Sequence, residues 1–141
     1  MKSAFQEFNQ IDGQIERCYH EAAVRLGLTD SEFWILYVLV TNEPRMLQTE
    51  LIETTGMSKT TINSALKKME RGELLQLTHG RGRNTYVRLT AAGNQVAEKT
   101  VCRLVALENM IFESWSPEEQ EMLIRLNRDY AVKLASMMKQ L

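Results

Sequence analysis

The chain has 141 residues, 44% of them hydrophobic and 25% charged, which excludes a disordered or low-complexity protein and suffices for one buried core. Its 17 Lys and Arg against 18 Asp and Glu give a net charge of −1, so bulk charge marks no partner. No apolar run nears the roughly 20 residues that span a bilayer, and MKSAFQEFNQ lacks a signal-peptide core, so a cytoplasmic protein with no membrane partner is expected. From Ser3 to Leu26 the apolar residues Phe5, Phe8, Ile11, Ile15, Cys18, Ala22 and Leu26 recur every three or four positions, one stripe down a long helix that Gly27 ends. Thr29-Asp30-Ser31-Glu32 is a capping box opening a second helix to about Thr41, apolar nearly all round. Asn42-Glu43-Pro44 breaks it. A short third helix follows from Gln48 to Thr55, with Gly56 as its left-handed terminator.

Ser58 caps the fourth helix. With Ile62 at the centre of the inner face, Ala65, Leu66 and Met69 fall beside it, and Thr60, Ser64, Lys67 and Arg71 fall opposite, flanked by Asn63 and Lys68. Two helices joined by a glycine-containing turn, the second showing small polar and basic residues outward, make a helix-turn-helix. Leu74–Thr78 and Thr85–Leu89 read as strands joined by His79-Gly80-Arg81-Gly82-Arg83-Asn84. Thr90 caps a fifth helix to about Trp115, and Ser116-Pro117-Glu118-Glu119 starts a sixth that reaches the C-terminus.

Charge is concentrated on this middle segment. Between Met57 and Thr90 seven Lys and Arg face two Glu, a balance of +5, while the rest of the chain carries −6. That is the footprint of a phosphate-facing surface. A polar helix face alone is compatible with plain solvation; the glycine, strand and basic loop after it favour double-stranded DNA. Short Ser, Thr and Asn side chains let a helix sink into the major groove, so Thr60, Asn63, Ser64 and Lys67 are expected to read bases. Ser58, Lys59, Lys68 and Arg71 suit the backbone side of that interface. At the hairpin tip Arg81, Arg83 and Asn84 suit an A·T-rich minor groove, and Arg88 could reach a phosphate.

LTDSEFWILYVL, LIETTGMSKTTINSALKKMERGELLQ and the closing VRLTAAG, in this order over essentially the whole chain, resemble the MarR (multiple antibiotic resistance regulator) family of winged helix-turn-helix regulators. The resemblance implies a mainly α fold with a small β-wing (α+β), as a single domain over residues 1–141. Its head would cover about 29–90, and dimerisation helices about 3–26 and 91–141. It implies a homodimer astride a palindrome, acting as a repressor that a small-molecule or stress signal releases. The family's wing usually carries an acid two positions before an arginine; here GRGRN holds none, which leaves Arg81 and Arg83 as rival minor-groove candidates. Arg-Gly-Arg also resembles the core of an AT-hook, without its prolines.

Other features receive plainer readings. The family's peroxide-sensing branch places its cysteine where this chain has Phe5, and Cys18 on the apolar stripe reads as a structural thiol. Neither His20 nor His79 has a partner at zinc-ligand spacing, so no metal or other cofactor is expected. Tyr19, His20, Trp34 and Tyr37 are candidates for an effector pocket taking a small aromatic ligand, with Arg17 or Arg25 beside them; ordinary packing is the alternative. No nucleophile elbow, phosphate loop or metalloprotease motif points to an enzyme. The rival class is a winged-helix module that binds protein, which would have no need of the basic helix and loop.

Overall fold

The computed structural model describes residues 1–42, 44–82 and 84–141. The helices are α1 (Ala4–Arg25), α2 (Asp30–Thr41), α3 (Gln48–Thr55), α4 (Lys59–Arg71), α5 (Ala91–Lys99), α6 (Val101–Glu113) and α7 (Pro117–Met137). The strands are β1 (Arg45–Leu47), β2 (Leu75–His79) and β3 (Thr85–Leu89), and a short 3-10 turn (Met138–Gln140) follows α7. Two compact units are formed, residues 1–104 and 105–141.

Local chemistry sets most boundaries. Ser3 and Gln6 cap α1 reciprocally, and Gly27 leaves it at φ 73°. Thr29 and Glu32 do the same for α2, the Glu32 amide donating to the Thr29 hydroxyl at 3.2 Å. Gly56 ends α3 in the left-handed region at φ 69°. Ser58 then accepts from the Thr61 amide at 3.1 Å and starts α4.

Two features differ from the sequence expectation. The expected fifth helix, continuous to about Trp115, is broken at Thr100, whose backbone leaves the helical region at φ −123°, ψ −97°. The Thr100 hydroxyl donates to the Val96 carbonyl at 2.7 Å, a back-bond that competes with the main-chain ladder and bends helices. Residues 45–47, expected only as a connection after the break, form β1. It pairs antiparallel with β3, and the sheet order is β1-β3-β2.

The sheet alternates by face, as a half-buried sheet should. Met46, Val87 and Leu75 are buried, while Arg45, Arg88 and Gln76 stand in one exposed row across the three strands. The core lies wholly within residues 1–104: Phe33, Ile35, Leu36, Leu51, Ile62, Leu66, Met69, Leu75, Val87 and Val101 are fully enclosed. The apolar stripe of α1 is not enclosed. Phe5, Phe8, Ile11, Ile15 and Cys18 are all exposed, so the Cys18 thiol is not buried within its own chain.

In residues 105–141, Ser116 and Glu119 form a reciprocal cap with Pro117 in the first turn of α7. The Ser116 amide at 2.9 Å, and then its hydroxyl, hold the Glu119 carboxyl below the usual carboxylate range. Met110, Ile111, Leu123, Leu126, Tyr130, Leu134 and Met137 are exposed.

A candidate nucleic-acid interface

Helix α4 carries the residues expected to read a groove, and its two faces differ in kind. Ile62, Ala65, Leu66 and Met69 are buried, which fixes its rotation, and Thr60, Ser64, Lys67 and Arg71 are left exposed on the opposite side. Lys59, Lys67 and Arg71 have no acidic partner among the described residues. Three expected contacts already have neighbours. The Ser58 hydroxyl is engaged with Thr61. Asn63 is half-buried and its carboxamide oxygen accepts from the side-chain Nε2 of Gln48 on α3. The Lys68 ammonium lies 3.7 Å from the Glu32 carboxylate at the start of α2.

The wing is tied to the end of α4 by a compact set of bonds. Gly72 follows α4, and Glu73 takes φ 61°, unusual for a side-chain-bearing residue. The Leu74 amide donates to the Met69 carbonyl at 3.0 Å. From the far side of the wing, the Thr90 hydroxyl donates to the Glu73 carbonyl at 2.6 Å and the Thr90 amide to the Leu74 carbonyl at 3.0 Å. Thr90 also caps α5 by accepting from the Gly93 amide at 3.0 Å. Gly93 is required there: a Cβ on it would sit 1.9 Å from the Leu74 carbonyl oxygen. The Glu70 carboxylate accepts from the Leu77 amide at 3.3 Å, so the helix also holds β2.

At the tip, the Gly80 amide donates to the Asn84 carbonyl at 2.8 Å, and Gly82 turns at φ 73°. Arg81 and Asn84 are exposed; Arg83 lies outside the described residues. Thr85 and His79 close the hairpin base through the imidazole Nδ1 at 3.3 Å. Arg88 stands on the outer face of β3. Opposite it is Arg45, a cation the sequence reading passed over, whose guanidinium lies 4.2 Å from the centre of the Tyr86 ring. A three-residue strand after a proline gives no periodicity to detect; its pairing exists only in the folded sheet.

The candidate effector residues divide. Tyr19, Trp34 and Tyr37 come together, with ring centroids 5.4 Å apart for Tyr19–Trp34 and for Trp34–Tyr37, and Phe33 joins them from the core. His20 turns to Asp30 instead, with Nδ1 3.0 Å from its carboxylate. Burial first, and then the Glu98 carboxylate, push the Cys102 thiol above its ordinary value. Among the described residues no three His, Cys, Asp or Glu gather as a metal site, and no helix is long and apolar enough to cross a membrane.

The model of the MarR family matches residues 26–83, the segment from the end of α1 to the wing tip. Among solved structures, a MarR family regulator from Neisseria meningitidis, NMB1585, superposes with a TM-score of 0.83 at 16% identity, covering 99% of this chain and 100% of that one. MepR of S. aureus, solved with DNA, gives 0.70 at 16% identity, covering 95% and 99%. The PcaV transcriptional regulator of Streptomyces coelicolor, solved with its natural ligand, gives 0.67 at 20%, covering 93% and 96%. No curated protein sequence matches the chain. The fold is therefore that of the MarR winged-helix regulators, extending beyond the matched segment over nearly the whole chain.

Proposed function

We propose that this chain, with its MarR-family segment at residues 26–83, is a transcriptional regulator that binds double-stranded DNA as a homodimer. Such regulators are not enzymes, and the chain would work in the cytoplasm as one unit over residues 1–141. The head, about 29–90, would read DNA, while helices at about 3–26 and 91–141 would pair two copies. The observation that carries the reading is the outer face of α4. Its small polar and unpaired basic side chains are exposed, its rotation is fixed by a buried opposite face, and a wing is bonded to its end.

Each α4 would enter a major groove, with Thr60, Asn63, Ser64 and Lys67 at base edges and Lys59 and Arg71 at phosphates. The two-fold would select an inverted repeat with half-sites about 34 Å apart. Arg81 and Arg83 would compete for flanking A·T-rich minor grooves, and Arg88 would take backbone phosphate. Dimerisation is supported by the exposed apolar residues of α1 and α7, since an uncovered stripe of this size is unusual on a monomer. Repression follows if the operator overlaps a promoter. A small aromatic ligand at Tyr19, Trp34 and Tyr37, with His20 at the margin, would release DNA by favouring a head spacing that misses the two grooves.

The test is selection of bound duplexes from a random library at about 50 and about 200 mM salt. An inverted repeat one helical turn apart, with affinity falling steeply as salt rises, is expected. Enrichment of A·T richness alone would remove base reading by α4. Absence of binding at both salts would replace this function with that of a protein-binding module.

A further inference from the structure

The face proposed to meet DNA contains an acid. An open groove of about 420 Å³ runs between the start of α2 and α4, lined by Thr29, Ser31, Glu32, Thr60, Ser64 and Lys68. Of these, Thr60, Ser64 and Lys68 belong to the outer side of α4. The Glu32 side chain is only 18% exposed and sits 3.7 Å from the Lys68 ammonium, which is 64% exposed. Phosphate-facing surfaces repel carboxylates, so an acid here weakens phosphate binding unless it serves another end.

Glu32 cannot easily move aside. Its Oε1 accepts from the Thr29 hydroxyl at 2.8 Å and from the Thr29 amide at 3.3 Å, the bonds that start α2. The cap thus fixes a negative charge beside the recognition helix. Glutamine at this position keeps the cap's hydrogen bond to the Thr29 amide, so the charge can be removed with the geometry of the cap retained. The charge and the cap are therefore separable by a single substitution.

We propose that Glu32 tunes DNA affinity: it occupies Lys68 in the unbound protein and competes with DNA phosphate for it. Non-specific binding is made almost wholly of phosphate contacts, so a lysine already matched by a fixed carboxylate contributes less to it. Specific binding also has base contacts from Thr60, Ser64 and Lys67, which the competition leaves intact. Glu32 thereby lowers the affinity for random sequence, while base contacts still hold the protein at its cognate site. This inference rests on the DNA-binding reading above.

The test uses the full-length protein and two duplexes, the selected inverted repeat and a mixed sequence without repeats, titrated over a salt series. Glu32→Gln keeps the hydrogen bond of the cap, and an unchanged far-ultraviolet circular dichroism spectrum with a cooperative unfolding transition checks that the fold is retained. On the mixed duplex it is expected to bind more tightly at low salt and to steepen the salt dependence by about 0.9 for each Lys68 released. Over a rise from about 50 to about 200 mM salt, each such contact multiplies the loss of affinity about 3.5-fold. Adding Lys68→Gln to Glu32→Gln should abolish the gain, and Lys68→Gln alone should cost less than Lys67→Gln, whose lysine has no acidic partner among the described residues. An unchanged slope in Glu32→Gln while Lys67→Gln weakens binding overturns the proposal and leaves the DNA reading standing. A gain that survives Lys68→Gln also overturns it. Failure of the unaltered protein to bind either duplex removes the DNA reading and this inference together.

Discussion

Gly93→Ala tests whether the wing is held by close approach of backbone rather than by helix propensity. In an unconstrained helix the change should stabilise, since glycine is about 1 kcal/mol worse than alanine in a helix interior. Here the new Cβ would lie 1.9 Å from the Leu74 carbonyl oxygen, 2.9 Å from the Leu74 carbonyl carbon and 3.1 Å from Leu89 Cδ2. The obstruction is main chain, so no rotamer relieves it, and α5 must part from the Leu74 peptide. Overpacking of this kind costs about 1–3 kcal/mol. Parting also weakens the Thr90 amide bond to Leu74 and the Thr90 hydroxyl bond to Glu73, each worth about 1 kcal/mol. Net of the propensity gain, a loss of about 2 kcal/mol or more is expected, or about 8 °C in unfolding temperature for a chain of this size. Thermal unfolding followed by circular dichroism reads it directly. Gly13→Ala in α1 is the control, because its Cβ would meet only the Arg17 guanidinium at 3.7 Å; that variant should be as stable as the parent or more so. If Gly93→Ala unfolds at the same temperature or higher, the close approach at Leu74 does not constrain the wing and the reasoning fails.

Lys67→Ala should relax base preference at one symmetric pair of operator positions in a repeated duplex selection; uniform weakening across all sequences would make Lys67 a phosphate contact instead. Arg81→Ala should weaken binding chiefly to duplexes with A·T-rich flanks, and equal loss on G·C-rich flanks would argue against insertion in the minor groove. Leu126→Arg puts a charge on the exposed apolar side of α7 and should yield monomers in sedimentation, since burial of a leucine is worth about 1.5–3 kcal/mol and the two-fold counts it twice; an intact dimer would place the interface elsewhere. Glu119→Gln removes a carboxylate whose folded pKa is lowered, so the stability it contributes is present above the unfolded value and lost as pH falls through the folded one. The variant should therefore unfold below the parent near neutral pH and converge with it as pH falls through the folded value, whereas a constant difference would show that the charge has no part in the cap.

What the sequence determined by itself is whatever depends on neighbours within about four positions. The caps at Thr29, Ser58 and Ser116, the left-handed Gly56 and the division of α4 into a buried and an exposed face are of this kind. Each is fixed by a side chain reaching its own first turn, or by the 3.6-residue period, so residue order is enough to find them. The basic segment was legible for the same reason, charge being a property of composition. Tertiary structure alone decided the rest. Strand β1 is too short to carry a pattern and exists because β3 offers it a ladder. Thr100 reads as an ordinary helical residue until its hydroxyl takes the Val96 carbonyl. Glu32 reads as a cap, and only the packing of α2 against α4 brings its charge to Lys68, thirty-six positions away. The need for glycine at position 93 arises from the Leu74 carbonyl, in the turn before β2 and invisible to any local rule. Contacts between residues far apart in sequence have no local signature, because their geometry is set by how the elements pack and not by the order of side chains within any one of them.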